Sequence, residues 1–385
     1  MNILVISPVL PYPPNDGDRI RIFNFLKFLS KRNKIRLVSF IRSGEEQNVK
    51  FLKEICESVE VVPITKAGIF FNAIISFFSS MPINVGAYKS KKMQEVINDE
   101  MQEKKIDLIY VYRIRCAPYV DGKSTPAVID IVDSMALVNK RREVFEKNVL
   151  RKLYIKIDYE RILNYERNLH GRFKRIFINS EDDADFLDMK NITVIPNGVT
   201  GRVVKKRKKG DFVIGFFGNV EYGPNYDAVT FFYKNVWKKM SGFDKNIKLV
   251  ITGDKNNSLK FLAGKNVEIK GYIDDIDGEI SGWDVSIVPV RYGAGRQNKI
   301  LKSWACGIPV VATKFAAMGV YGKNKKNLLI ADDADEFINA IFTIKRDEKL
   351  RKRIISGGFE TVKKHFNWEK NLKKLEVTLR KVRIK

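Results

Sequence analysis

The residues best suited to chemistry lie in loops that follow apolar runs and lead into helical ones. Residues 289–299 read PVRYGAGRQNK, followed by ILKSWACG. Strand, Gly-Ala-Gly, helix puts Gly295, Arg296, Gln297, Asn298 and Lys299 at a helix N-terminus. The helix dipole disfavours cations there, so a cationic first turn points to an anion held against it. Arg296 suits bidentate contact with a phosphate. The plain alternative is a solvated first turn. Residues 218–227, GNVEYGPNYD, carry Gly218 and Gly223, with Pro224 suited to a first helical turn. This loop could offer free N–H groups to a diphosphate. It is not GxGxxG and no acid follows at dinucleotide spacing, so a nicotinamide reading gains little. In residues 11–19, PYPPNDGDR, Gly17 would let the backbone approach a ligand ahead of a helix. A Pro-rich turn capped by Asp16 or Asp18 accounts for it equally well.

Other chemistries lack residues. The only histidines are His170 and His365. Cys56, Cys116 and Cys306 are far apart and in no ligand spacing. Zinc and a disulfide frame are therefore not expected, and the thiols suit a reducing compartment. The charge is +25, from 70 basic and 45 acidic residues. Residues 19–42 hold eight basic side chains and no acid, residues 201–210 six and no acid, and residues 351–385 twelve against three. The remainder is nearly balanced, which argues against a uniformly basic nucleic-acid coat.

Elements that could position these loops alternate along the chain. Short apolar runs lie at residues 3–7, 35–40, 59–62, 108–112, 127–131, 175–178 and 193–195. They resume at 212–218, 248–253, 267–271, 285–290, 309–312 and 328–330. Helical patterns separate them. Residues 19–31, for example, carry Ile22, Phe25, Leu26 and Leu29 on one face, and residues 136–173 read as one very long helical stretch. Strands apolar throughout and separated by helices imply parallel sheets covered on both faces. The expected fold is α/β, two doubly wound Rossmann-like domains with a cleft between them. The expected boundaries are residues 1–200, a basic linker 201–210, a second domain 211–365, and a final helix 366–385 returning to the first domain. Ligands in such sheets bind beyond the strand C-terminal ends. Residues 2–7 read as a buried first strand rather than a targeting peptide, and no run reaches the ~18 apolar residues of a spanning helix.

Taken in order, several segments resemble the GT-B glycosyltransferases of family 4, the "glycosyl transferases group 1" type, and among them the sugar transferases of exopolysaccharide clusters. SPVLPYPPNDGDRIRIFNFLKFLSKRNKIRLVSF resembles the opening strand, glycine loop and helix. RIFINSEDDADFL and VIPNGV resemble the approach to the linker. GFFGNVEYGPNYDAV, VEIKGYIDDI, WDVSIVPVRYGAGRQNKILKSWACGIPVVAT and NLLIADDADEFINAI resemble the donor domain. HFNWEKNLKKLEVTL resembles the closing helix. The resemblance implies a hexosyltransferase that uses a UDP- or GDP-linked sugar as substrate, with no cofactor and no obligatory metal, and retains configuration. Arg296, Lys299 and backbone N–H groups near Gly218 and Gly295 would hold the departing diphosphate. Gly271, Tyr272 and Ile273 would meet the nucleobase, and Gly17 would approach from the other domain.

Departures accompany it. The family's two glutamates correspond to Ala294 and Lys302. Asn219 stands where a cation is common, which shifts phosphate charge towards Arg296, Lys299 and Arg291. The first domain's usual histidine has no counterpart in VIDIVDS, residues 128–134, where Asp133 is the substitute, with a helix N-cap as its plain role. Residues 66–92 combine Ile69, Phe70, Phe71, Ile74, Ile75, Phe77 and Phe78 with flanking lysines. They suit an interfacial helix on anionic lipid, although a core helix accounts for most of them. One basic, partly apolar face of residues 19–42, residues 66–92 and the tail would place the protein peripherally at the cytoplasmic membrane, near a glycan or polyprenyl-linked acceptor. A non-catalytic homologue, a nucleotide-sugar epimerase and a nucleic-acid binder are the competing readings. The last lacks any nucleic-acid-binding signature.

Overall fold

The computed structural model describes residues 1–146, 148–203, 210–253, 258–293 and 296–384. It forms two compact units, Met1–Asn197 with Trp368–Lys385, and Gly198–Asn367. Most of the basic stretch 201–210 lies outside the described residues.

Unit 1 holds seven parallel strands: β1 (Asn2–Ser7), β2 (Lys34–Ile41), β3 (Ser58–Pro63), β4 (Leu108–Tyr112), β5 (Ala127–Val132), β6 (Arg175–Ile178) and β7 (Ile192–Val194). Their order is β3-β2-β1-β4-β5-β6-β7. Asn2 faces Lys34 and Ser7 faces Ser39 across β1 and β2. Alternate residues serve opposite faces. Leu4, Ile6 and Val38 enter one apolar cluster, while Ile3, Val5 and Leu37 enter the other. Both faces are thus covered, as the unbroken apolar runs require.

Four helices of this unit matter below: α1 (Gly17–Leu29), α2 (Lys66–Phe77), α3 (Met135–Phe145) and α4 (Val149–Asn168). Helix α1 starts where the Asp16 side chain accepts from the Arg19 N–H, and it buries Ile22, Phe25, Leu26 and Leu29. The expected single stretch over residues 136–173 is instead α3 and α4. The Asn148 side chain accepts from Arg151 N–H and opens α4, a cap that competes with continued helix.

Unit 2 holds β8 (Phe212–Phe217), β9 (Ile247–Thr252), β10 (Val267–Lys270), β11 (Val285–Val288), β12 (Val310–Ala312) and β13 (Leu329–Ile330), ordered β10-β9-β8-β11-β12-β13. All its strand pairs are parallel. Helix α5 (Asn298–Ala305) follows β11. Helix α6 (Trp368–Ile384) belongs to unit 1. Its Leu372, Leu375, Leu379 and Val382 are buried with Ile22, Phe25 and Leu29 of α1. Each such leucine contributes about 1.5–3 kcal/mol of burial.

The basic stretch 19–42 is divided: Lys27, Lys31, Arg32, Lys34 and Arg42 are exposed, while Arg19, Arg21 and Arg36 turn inward. Arg21 is fully buried on α1. It donates to both Asp130 oxygens at 2.8 and 3.1 Å, to Ile195 O at 2.8 Å and to Asn197 Oδ1 at 2.7 Å. Arg19 pairs with Glu45, and Arg36 with Glu57 and Glu100. Burial demands that charge be matched, so these cations are used internally rather than displayed.

Candidate functional site

Each sheet reverses its strand order at one place, and open α/β sheets bind ligands beyond the strand ends there. The reversal lies between β1 and β4 in unit 1 and between β8 and β11 in unit 2.

In unit 2 the chain leaves β8 at Gly218 with φ +146° and leaves β9 at Gly253 with φ +106°, conformations that suit glycine. The two strand ends touch, since a Cβ built on Gly253 would lie 2.4 Å from Gly218 O. Lys299, in the first turn of α5, packs on the same spot. A Cβ on Gly218 would lie 2.6 Å from Lys299 Cε and 3.1 Å from Nζ. The Lys299 ammonium lies 5.7 Å from the centre of the Phe216 ring. Among the described residues no carboxylate offsets it, and desolvation lowers its pKa to about 8. The site thus presents a cation stripped of counter-charge beside bare backbone. A phosphate would satisfy it.

The other expected residues of unit 2 are distributed as follows. Asn219 is exposed, and its Oδ1 accepts from Glu221 N–H at 3.0 Å. Gly271 offers its carbonyl to Gly253 N–H at 3.0 Å, which joins the strand end at β10 to the glycine pair. Tyr272 is exposed and Ile273 partly buried. Asn298 opens α5, and Gln297 is buried just before it without a capping side-chain bond. Arg296 is buried, with its guanidinium 5.1 Å from the Phe366 ring and 5.7 Å from Tyr321. Arg291 is bound to Asp227 at 2.5 and 3.0 Å. Gly295 and Ala294 lie outside the described residues. Lys302, at the second glutamate position, pairs with Asp277 and donates to Thr200 O at 2.8 Å.

In unit 1 the reversal between β1 and β4 gathers residues that the sequence leaves apart. Gly17 opens α1, and the adjacent Asp18 pairs with Arg113, the first residue after β4. Arg113 also approaches Asp133 at 3.9 Å. The backbone is left-handed at Arg113 (φ +65°) and at Val132 (φ +68°), the latter rare for a β-branched residue. The register between β5 and β6 shifts between Asp130 and Val132. Such strain persists where surrounding structure enforces it and gathers at functional positions. Asp133 Oδ1 is buried without a hydrogen-bond partner among the described residues. Burial, opposed by Arg113 and reinforced by Asp183, raises its pKa to about 6. Asp133 is not the cap of α3; Ser134 is, accepting from Leu137 N–H at 3.1 Å. Glu166, fully buried on α4, holds that turn by accepting from Ser134 Oγ and Met135 N–H, both at 2.7 Å. Burial lifts its carboxyl to about 7. A carboxylate poised near neutrality beside a fixed guanidinium can bind a sugar hydroxyl or handle its proton. Arg113 and Glu166 are not singled out from sequence, and Asp18 is named there only as a turn cap. Arg113, a cation directly after an apolar strand, was the available signal.

Residues 211–347 match the family described as Glycosyl transferases group 1. An uncharacterised 44.6 kDa protein of the cps region of Klebsiella pneumoniae is 22% identical over 96% of this chain and 97% of its own. The lipopolysaccharide core biosynthesis glycosyltransferase LpsE of Rhizobium meliloti is 32% identical over 30% of this chain and 36% of its own. The crystal structure of Anabaena HepE in complex with UDP covers 99% of this chain and 100% of its own, with a TM-score of 0.70 at 16% identity. The two parallel sheets and the full-length likeness in fold give this chain the GT-B architecture, and within it residues 211–347 of unit 2 are similar to the glycosyl transferases group 1 family.

Proposed function

We propose that the protein is a retaining hexosyltransferase. It would move a sugar from a UDP- or GDP-linked donor to a glycan or polyprenyl-linked acceptor in bacterial surface-polysaccharide or glycolipid assembly, without an obligatory metal. It would work peripherally at the inner face of the cytoplasmic membrane. Lys299 carries this reading: an ammonium against Gly218, at the strand reversal of unit 2, with no carboxylate offsetting it among the described residues. HepE was solved with UDP and with UDP-glucose, and LpsE is named for lipopolysaccharide core biosynthesis. Both support a nucleotide-sugar donor and a polysaccharide product.

In the proposed reaction the bond from the anomeric carbon to phosphate breaks and its electron pair leaves with the diphosphate, which Lys299 and the Gly218 backbone stabilise. The acceptor oxygen bonds to the same face of that carbon. Its proton passes to the departing phosphate oxygen, so no histidine base is needed. In unit 1, Asp133, held by Arg113, contacts a sugar hydroxyl. A thermal-shift screen of nucleotide sugars tests this. One donor should stabilise the protein, and Arg296→Ala and Lys299→Ala should abolish the effect. If both variants bind donor like wild type, the phosphate assignment is wrong.

The ion pair of Lys302 with Asp277 favours a second reading, a non-catalytic homologue, because a cation occupies a position where the family has an acid. Nucleotide binding without transfer or donor hydrolysis would select it.

A further inference from the structure

Helix α2 is turned inside out. Ile69, Asn72, Ala73 and Ser76 recur at i, i+3, i+4 and i+7, and these face the protein. Asn72 donates to Lys89 O at 3.0 Å, and Ser76 sits against Gly86, where a Cβ would come within 1.9 Å of its Oγ. The large side chains point away. Phe71 is 65% exposed and Phe78, just past the helix, is 83% exposed. A rotation of roughly half a turn would have buried them, yet the polar residues hold the inner face.

A second apolar element lies beside the first. The opening two turns of α4 leave Leu150 77% exposed and Leu153 55% exposed. Arg161 of α4 donates to Phe77 O at 3.0 Å, which ties α4 to the end of α2, and Asp158 accepts from Ile83 N–H at 3.3 Å in the segment that follows. Large apolar side chains exposed on two linked helices mark a site of contact. Its charge identifies the contact. Residues 65–92 carry Lys66, Lys89, Lys91 and Lys92 and no acid; residues 147–157 carry four basic residues and no acid. Lysine is depleted in protein interface cores, whereas aromatic residues rimmed by lysine and arginine match the headgroup layer of an anionic bilayer. No helix among the described residues is long and apolar enough to cross a membrane. At ~1.5 Å per residue, α2 spans about 18 Å, a length that lies in the interface plane.

We propose that α2 and the first two turns of α4 form the surface by which this protein docks on anionic phospholipid, with Phe71, Phe78, Leu150 and Leu153 entering the acyl boundary. This deepens the proposed function by naming its membrane contact. Lipid binding here requires no transfer reaction.

The test is flotation of the full chain with vesicles of phosphatidylcholine alone or mixed with phosphatidylglycerol. Wild type should bind the mixed vesicles and be released by high salt. Phe71→Ser with Phe78→Ser, and separately Leu150→Ser with Leu153→Ser, should each weaken partition about tenfold or more. Phe243→Ser, an exposed residue of unit 2, should leave it unchanged. Because all these side chains are exposed, melting temperature and any stabilisation by UDP-glucose should be unaffected. Absence of binding at low salt, or equal binding by all variants, overturns the proposal. So does a solution dimer that these variants dissociate, which would give the surface to a second copy. Vesicle binding without a nucleotide response would instead count against the glycosyltransferase reading alone.

Discussion

Replacing Lys299 by Met should strengthen the fold and weaken the donor site together. Burial lowers this ammonium from 10.5 to about 8. That displacement corresponds to roughly 3 kcal/mol against the charged form, and partial exposure of the side chain reduces it to about 1–3 kcal/mol. The folded pKa lies below the unfolded one, so the charged lysine destabilises the protein at neutral pH. The penalty disappears as pH rises from about 8 through 10.5. Lys299→Met should therefore melt higher than wild type at pH 7, with the difference shrinking at alkaline pH. Binding should move the other way. Loss of a charge-assisted hydrogen bond worth about 1.5–3 kcal/mol weakens UDP roughly 10- to 100-fold. The wild type carries a further signature. With a pKa of about 8, Lys299 is ~90% protonated at pH 7 and ~10% at pH 9, so UDP affinity should fall about tenfold over that range. UDP changes little over this range: with a last phosphate pKa of about 6, as for a phosphomonoester, it is ~90% ionised at pH 7 and more so above, a small change that acts against the predicted fall. Calorimetric titration at pH 7, 8 and 9 measures this, and the variant should show a flat profile. A wild-type affinity independent of pH, or a variant that binds UDP normally, would refute the reasoning.

Gly218→Ala puts a Cβ 2.6 Å from Lys299 Cε at a backbone φ of +146°; it should cost about 1–3 kcal/mol in urea denaturation and weaken UDP at least tenfold. Asp133→Asn removes a carboxyl whose raised pKa makes its contribution to stability fall as pH rises from about 4 to about 6. The variant should gain melting temperature over wild type at pH 7 more than at pH 4, and should lose sugar transfer in a product assay. Arg21→Met strands Asp130 in the core and should cost about 3–5 kcal/mol; Arg21→Met with Asp130→Leu should recover part of that loss, read by denaturant midpoint.

The strands were legible because each is a short apolar run closed by a change of pattern. Observed strands such as Leu108–Tyr112 and Arg175–Ile178 coincide with the runs read from sequence. The division at residues 146–148 was not legible. It contains neither glycine nor proline, and the cap at Asn148 competes with a helical pattern that continues on both sides. Helix α2 was misread in its burial. Phenylalanine usually lies inside, so the stretch suited a core helix, while its inward face is set by Asn72, Ala73 and Ser76. Around the candidate site, sequence order limits what can be seen. Asp18 and Arg113 meet from distant positions, as do Arg296, Tyr321 and Phe366. The left-handed backbone at Val132 has no compositional mark at all.

The burial of Leu372, Leu375 and Leu379 beside α1 has a consequence for how the chain is made. Unit 1 is written in two instalments, and all of Gly198–Asn367 is translated between them. At ~5–20 residues per second that interval lasts roughly 10–30 s. Throughout it, the apolar face of α1 has left the ribosome without the helix that covers it. Unit 2 is contiguous and can complete its own core first. The N-terminal half therefore finishes last, and a stop codon that removes only the final helix would trap it in the state it occupies while waiting.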